Sequence, residues 1–297
     1  MLKEIRFGKV VFIPGPYEGR YPFCNSLYID DKVQAVIDPG SDEGRLRRLQ
    51  EEKGPVRTVI QSHYHEDHGS FGYLFPSAEL CVHKSEAPCY QDIDKVLEYY
   101  GLRGTEYEDV WRDILLRRFN YRVRKPTCEF QDGDLMQFGE TTLRVIHTPG
   151  HSIGHCCFYF PDEGVLYLGD LDMTRFGPWY GDRVSDIDST VESVRKLMTV
   201  PARFFVSAHE TGVIEGDLRE LAEEYIAVIE EREKKLLAFL DRPRTLDEIV
   251  GQWIVYKRPR EPRHFFEFGE RALMKKHIER LEKRGLLRQQ RMRYSLV

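Results

Sequence analysis

Three apolar runs of this chain end on a side chain able to hold a metal, and a tight turn carries a further one. "VRTVIQSH" delivers His63, with His65, Asp67 and His68 in the next five residues; "VLYLGD" ends on Asp170; "RFFVSAH" ends on His209; the turn "HTPGHS" carries His151. Apolar runs rich in β-branched residues and closed by turn residues read as strands. The carboxyl ends of neighbouring strands lie along one edge of a sheet, so a fold that pairs these strands gathers the ligand-type residues at one place. Five of the chain's 10 histidines stand at these positions. His63 and His65, two apart on extended chain, lean to the same side. Asp67 and His68 follow where the chain turns into a helix and are aimed at a neighbouring point. Four such residues in six positions suit two adjacent metals better than one.

The rest of the chain organises around these runs. "KVVFIP", "CNSLYID" and "QAVIDPG" read as successive strands, "SDEGRLRRLQEEKG" as a capped helix ending at Gly54, and "AELCVHK" as a strand. Residues 86–120 carry apolar side chains at helical spacing around two glycines and are expected to form a two-helix insertion. Strands resume with "TCEFQDGDLMQFGETTLRVIHTPG" and the hairpin "HCCFYFPDEGVLYLGD". "SDIDSTVESVRKLMTV" reads as a helix. Strands followed by helices, twice over, predict two packed sheets with helices outside, an α/β (α+β) sandwich over residues 1–214. A connecting helix is expected over 215–240. After the break at "DRPRT", residues 241–297 read as helix, helix and short hairpin, the order of a small winged-helix unit whose long helix ends near Gly285.

Composition narrows the class. A 41% hydrophobic share is ample for a packed core. The start has charges within six residues, and no run approaches the roughly 20 apolar residues of a membrane helix, so no membrane partner and a cytoplasmic location are expected. The six cysteines form no C-x-x-C pair and are expected to be reduced; Cys156 and Cys157, adjacent on a strand, face opposite ways. From Arg232 onward Lys and Arg outnumber Asp and Glu by 18 to 9, a basic tail on an acidic body that hints at an anionic partner.

"HYHEDH", "HTPGHS", "YLGD" and "SAHE" together closely resemble the metallo-β-lactamase superfamily in its hydrolase branch, over about residues 5–215. The resemblance implies a four-layer αβ/βα sandwich. It implies that His63, His65 and His151 hold one metal, that Asp67, His68 and His209 hold a second, and that Asp170 bridges them. Asp38 in "VIDPG" matches an aspartate that orients a ligand histidine. Two divalent ions, Zn2+ first with iron or manganese as alternatives, would activate water for attack on a carbonyl or phosphoryl centre. Asp67 and Asp170 would then be catalytic as well as ligating. Among the remaining histidines, His147 is expected to pack behind the site, His155 to be a candidate proton donor to a leaving group, and His83, His264 and His277 to be surface or boundary residues.

Substrate is less constrained. The loop "RFGPWYG" leaves Asp170 and should lie beside the metals; Trp179 and Tyr180 could line a pocket or anchor the loop, and Tyr180 could support an oxyanion or leaving group. Tyr99, Tyr100, Tyr107 and Trp111 of the insertion could form a lid over an acyl group or plain core. Met173 stands where quorum-quenching lactonases carry a tyrosine, which weakens the lactonase alternative. "TLDEIVGQWIVYK" and "ERALMKKHIERLEKRGLL" resemble the tail of the β-lactamase-like protein 2 branch. That implies either glyoxalase II-like hydrolysis of a small thioester or ester, or cleavage of single-stranded RNA held by Lys275, Lys276, Arg280, Lys283, Arg284 and Arg288. A DNA- or RNA-binding regulator with a vestigial metal site is a third class, disfavoured by the complete ligand set. Tails of this kind also serve as packing or dimer elements, so a small-molecule substrate, a nucleic acid and a second copy of the chain are the partners to test.

Overall fold

Each expected strand is pinned by what its two faces bury. The computed structural model describes residues 3–297. Seven strands form one sheet in chain order: β1 (Ile5–Phe7), β2 (Val10–Ile13), β3 (Ser26–Ile29), β4 (Ala35–Ile37), β5 (Thr58–Ile60), β6 (Glu79–His83) and β7 (Cys128–Phe130). It is antiparallel from β1 to β4 and parallel from β4 to β7. The second sheet is built from β8 (Leu135–Gln137), β9 (Thr142–His147), β10 (Cys156–Phe160), β11 (Val165–Gly169), β12 (Phe204–Ser207) and β13 (Val213–Glu215), also adjacent in chain order. Only β11 and β12 run parallel there, which puts the ends carrying Asp170 and His209 side by side.

Alternation along the strands makes four layers. Phe12, Leu27, Ile37 and Ile60 of the first sheet meet Val145, Phe158, Tyr167 and Val206 of the second in a shared core. The outward set of the first sheet, with Val11, Val36 and Val59, packs under Leu46 and Leu49 of helix α1 (Glu43–Lys53). Asp42 caps this helix through Arg45 N, and Gly54 ends it, as the sequence pattern predicts. Cys156 faces the shared core while Cys157 faces the outer layer, as their adjacency requires; all six cysteines are unpaired. No helix among the described residues is long and apolar enough to cross a membrane.

Two expectations need correction. The insertion contains three helices, not two: α2 (Ala87–Gln91), α3 (Ile93–Tyr100) and α4 (Glu108–Arg117). Asp92, extended at φ −151°, breaks the first from the second and caps the latter through Asp94 N. The tail also does not stand apart. After α5 (Ile187–Leu197) and α6 (Arg219–Phe239) come α7 (Leu246–Val250), α8 (Arg263–Lys283) and a small sheet ordered β14 (Arg244–Thr245), β16 (Arg293–Leu296), β15 (Leu287–Gln290). Leu273, Ile278 and Leu281 of α8 share one core with Ile229 and Leu236 of α6, Ile187 of α5 and Tyr180. The long helix begins at Arg219 because the preceding residues add strand β13 to the second sheet.

Candidate dimetal centre

The strand-end residues meet. His63 and His65 follow β5, and Asp67 and His68 lie in the single helical turn Glu66–Gly69 just beyond it. Gly40 lets this turn seat: a Cβ there would lie 1.7 Å from the Asp67 carbonyl oxygen. Asp170 leaves β11 after a bulge, with Gly169 in the left-handed region at φ +55°, where a Cβ would sit 2.5 Å from His155 Nε2. His63, His65, His151 and Asp170 offer four ligand atoms within 4.8 Å of one another, and Asp67, His68 and His209 form a second such group.

Asp170 stands between the groups. Its Oδ2 is 3.4 Å from His151 Nε2 and 3.8 Å from His63 Nε2, while its Oδ1 is 2.8 Å from His68 Nε2 and 3.2 Å from His209 Nε2. Asp67 Oδ2 is 3.5 Å from His209 Nε2. Each histidine has its other nitrogen on an acceptor: His63 on Ser62 Oγ, His65 on Asp182, His68 on Asp38, His151 on the Trp179 carbonyl and His209 on the Gly19 carbonyl. Those bonds place the ring protons outside and turn the remaining lone pairs inward.

Inward lone pairs this close repel unless a proton or a cation lies among them. His151 Nε2 is 3.1 Å from His63 Nε2 and 3.0 Å from His65 Nδ1. The edge of a tetrahedron of nitrogens around a zinc-sized ion is about 3.3 Å, from metal–nitrogen bonds of about 2.0–2.1 Å. His68 Nε2 and Asp170 Oδ1 are buried and, though 2.8 Å apart, make no well-formed hydrogen bond, and a ligated cation would satisfy both. The residues present therefore fit two divalent ions.

Electrostatics in the metal-free chain point the same way. Burial, followed by the neighbouring histidines for His63, holds His63 and His151 well below their ordinary range, so both rings are neutral. Burial also opposes charge on His65 and His209, but Asp182 outweighs it for the first, to about 9, and Asp170 for the second, to about 10. Without a metal the carboxylates hold protons on these rings; a bound cation must displace them.

Asp38 gathers four donors, the outer nitrogen of His68 among them. At φ +50°, it accepts from Ser62 N, Ser62 Oγ, His68 Nδ1 and Tyr167 Oη at 2.5–2.8 Å. Asp182 is the counterpart that sequence reasoning missed. Its Oδ2 takes His65 Nε2 at 2.7 Å and the Tyr64 hydroxyl at 2.5 Å. It sits in an irregular loop with no spacing pattern to mark it; only its nearness in sequence to Trp179 was a signal.

Other assignments change. Tyr180 is fully buried, donating its hydroxyl to His277 Nε2 at 2.8 Å and accepting from Arg232 at 2.8 Å. A buried phenol needs such partners, and here they belong to α6 and α8, so it docks the loop and does not face substrate. His277, expected at the surface or a boundary, is equally buried. His155 lies behind Asp170, accepting from its backbone N at 3.1 Å, with burial lowering its pKa to about 4, so it is no leaving-group acid. His147 stacks on the buried His83 at 4.2 Å, with its Nε2 3.0 Å from the Ile153 carbonyl; His264 is exposed.

A cleft of about 740 Å³ opens on the centre. Trp179 lines it, as do Tyr100 and Trp111 from the insertion; Tyr99 turns away to the Ser85 carbonyl, and Tyr107 packs on Phe268. The roof joins distant parts of the chain: Trp111 stacks on Phe265 of α8 at 6.0 Å, and Tyr21 on the same ring at 5.8 Å.

The chain is similar to known proteins. The profile of the Metallo-beta-lactamase superfamily matches residues 20–209. The acyl-coenzyme A thioesterase MBLAC2 of Homo sapiens is 30% identical over 148 residues, 47% of this chain and 50% of that protein. A hydroxyacylglutathione hydrolase of Thermosynechococcus vestitus is 28% identical over 208 residues, covering 67% of this chain and 70% of that one. The match thus spans about half the length of the first of these relatives. A metallo-beta-lactamase family protein of Thermus thermophilus superposes with a TM-score of 0.72 at 25% identity, over 97% of this chain and 99% of that one, tail included. With the profile covering most of the sandwich and the ligand-type residues of both groups gathered around Asp170, this chain belongs to the metallo-beta-lactamase superfamily.

Proposed function

We propose that the protein is a dinuclear metal-dependent hydrolase of a small thioester. The observation that carries this reading is Asp170 between two histidine groups at the floor of a cleft with an apolar flank. When bound, the cations would activate water and polarise the substrate carbonyl, with Zn2+ favoured by the histidine-rich donor set. The chain's own part is to fix the rings: Asp38, Asp182 and Ser62 hold the outer nitrogens, and Asp67 and Asp170 balance the charge. Leu102, Trp111, Phe265 and Phe268 offer an apolar surface for the acyl group.

The leaving group favours a thioester over an ester. Neither expected acid, His155 or Tyr180, faces the cleft. A thiolate leaves without a proton because the thiol pKa is about 8.5, whereas an alkoxide needs one. The names of the two relatives, a thioesterase and a hydroxyacylglutathione hydrolase, agree with that chemistry.

The RNA-cleaving alternative loses half of its expected contacts. Arg280 pairs with Asp188 and Glu233, Arg284 with Asp188, and Lys276 donates to the Arg183 carbonyl, so half of the six basic residues expected to hold RNA are spent on α5, α6 and the preceding loop. The test is turnover of thioester, lactone and RNA panels by metal-loaded protein at low and high salt. Thioester turnover that persists at high salt is expected; RNA cleavage without thioester turnover would reverse the reading.

A further inference from the structure

The cleft continues past the metal centre along α6 and the tail, and its charge changes sign on the way. Near the centre it is lined by Asp67, Asp170, Asp172 and Asp182. Farther along, Arg175, Lys235, Lys257 and Arg260 line it, and among the described residues none has a carboxylate within salt-bridge distance. Arg232, 3% exposed, adds a buried cation whose hydrogen bonds go to neutral acceptors only, the Phe176 and Pro178 carbonyls and the Tyr180 hydroxyl. Glu231 is the carboxylate lining this end. Cations that outnumber the carboxylates beside them, in a cleft with apolar walls, create a positive potential that draws an anion.

The far end is also built to hold its shape. The buried Glu270 carboxylate accepts from the backbone N of Val255 at 3.0 Å and of Tyr256 at 3.1 Å, which pins the segment leading into Lys257. Arg260 lies over the rings of Tyr256 and Phe266, 5.8 Å from each centroid. Helix α6 sets the spacing. The Tyr225 hydroxyl reaches the Asp170 carbonyl at 3.1 Å, and Arg232 and Lys235 stand seven and ten residues on. At about 1.5 Å per residue they lie about 10 and 15 Å along the helix from the metal end.

We propose that this end of the cleft is a phosphate-binding subsite for the carrier of the thioester, a thiol on a pantetheine-like arm ending in phosphate. This deepens, and rests on, the thioesterase reading. Roughly thirteen bonds separate sulfur from phosphorus in such an arm, about 15 Å when extended at roughly 3.5 Å per three bonds. That places the phosphate at Lys235, Lys257, Arg260 and Arg175 while the thioester carbonyl lies over the metals. A peptide thiol carrier has carboxylates in place of phosphates and lacks this length. On this assignment the tail is a wall of the substrate site, and its positive charge serves a small phosphorylated ligand.

The test compares the wild type with the triple variant Lys235→Ala, Lys257→Ala, Arg260→Ala, three exposed residues outside the shared cores. A coenzyme A thioester and an N-acetylcysteamine thioester of the same acyl group are the paired substrates, since only the first carries phosphate. The ratio of their kcat/KM values is expected to fall about tenfold or more in the variant, through KM of the coenzyme A thioester. An unchanged ratio overturns the subsite. Calorimetric binding of coenzyme A and of adenosine 3′,5′-diphosphate is read separately, so the subsite can be judged even if no thioester turns over. Binding of both that weakens in the variant supports it, and a phosphopantetheinylated carrier protein bound more tightly than either would identify the source as protein-linked. Absence of coenzyme A binding to the wild type, or binding of single-stranded RNA lost in the variant in its place, overturns it.

Discussion

Oδ2 of Asp182 lies 2.7 Å from Nε2 of His65, 117 residues earlier in the chain, and so turns Nδ1 of that ring toward His63, His151 and Asp170. Removing this acceptor frees the ring and its tautomer. Asp182→Ala is expected to weaken metal binding at the His63–His65–His151 group about 10- to 100-fold, the usual loss for a hydrogen-bond partner of a ligand histidine. Metal titration would read it as one weakened site beside one retained. Equal loss at both sites would show that Asp182 acts on the whole centre.

Asp170 touches both groups, so its removal has a different signature. Asp170→Ala is expected to abolish turnover and to lower metal content at both sites, while circular dichroism and the melting profile stay close to wild type. Undiminished activity would reject the bridging role.

Glu86 offers a pH test. Burial, against the opposing bonds from Ser152 and Gly154 N, raises its pKa from an ordinary 4.5 to about 7. Below pH 4.5 folded and unfolded chains both hold the proton. As pH rises toward 7 the unfolded chain ionises first, so this residue lowers stability across that window, and the loss levels off above about 7. Glu86→Gln cannot ionise, and it should remove roughly 3 kcal/mol of the decline between about pH 4.5 and about pH 7. Denaturant melts of the two proteins at about pH 5 and about pH 7.5 measure the difference. Parallel declines would mean that Glu86 ionises normally.

The tail shares its core with the body, and cutting it away should be costly. Deletion of 241–297 uncovers Tyr180, Ile187, Ile229 and Leu236 and is expected to yield aggregated protein. Leu273→Ala, at a fully buried position, should lower stability by about 2–5 kcal/mol. A truncated chain that remained soluble with full activity would show the tail to be a separable module.

What was legible in the sequence came from local rules. A strand's period of two, a cap at Asp42, a stop at Gly54 and ligand-type residues at strand ends are written within a few neighbouring positions, and those determined the two sheets and the seven side chains that meet between them. Asp38 was legible through the family resemblance that "VIDPG" carries. Asp182 carried no such mark, since its role depends on a loop folding back onto a ring 117 residues away. The burial of Tyr180 and His277, the third helix of the insertion and the shared core of the tail were likewise decided by packing. Which face of a helix is covered, and which cation finds a carboxylate, depends on what lies opposite it in space. That is why the basic residues of α8, which on the sequence alone pointed to nucleic acid, are partly spent on Asp188 and Glu233, while the unpaired cations line the cleft.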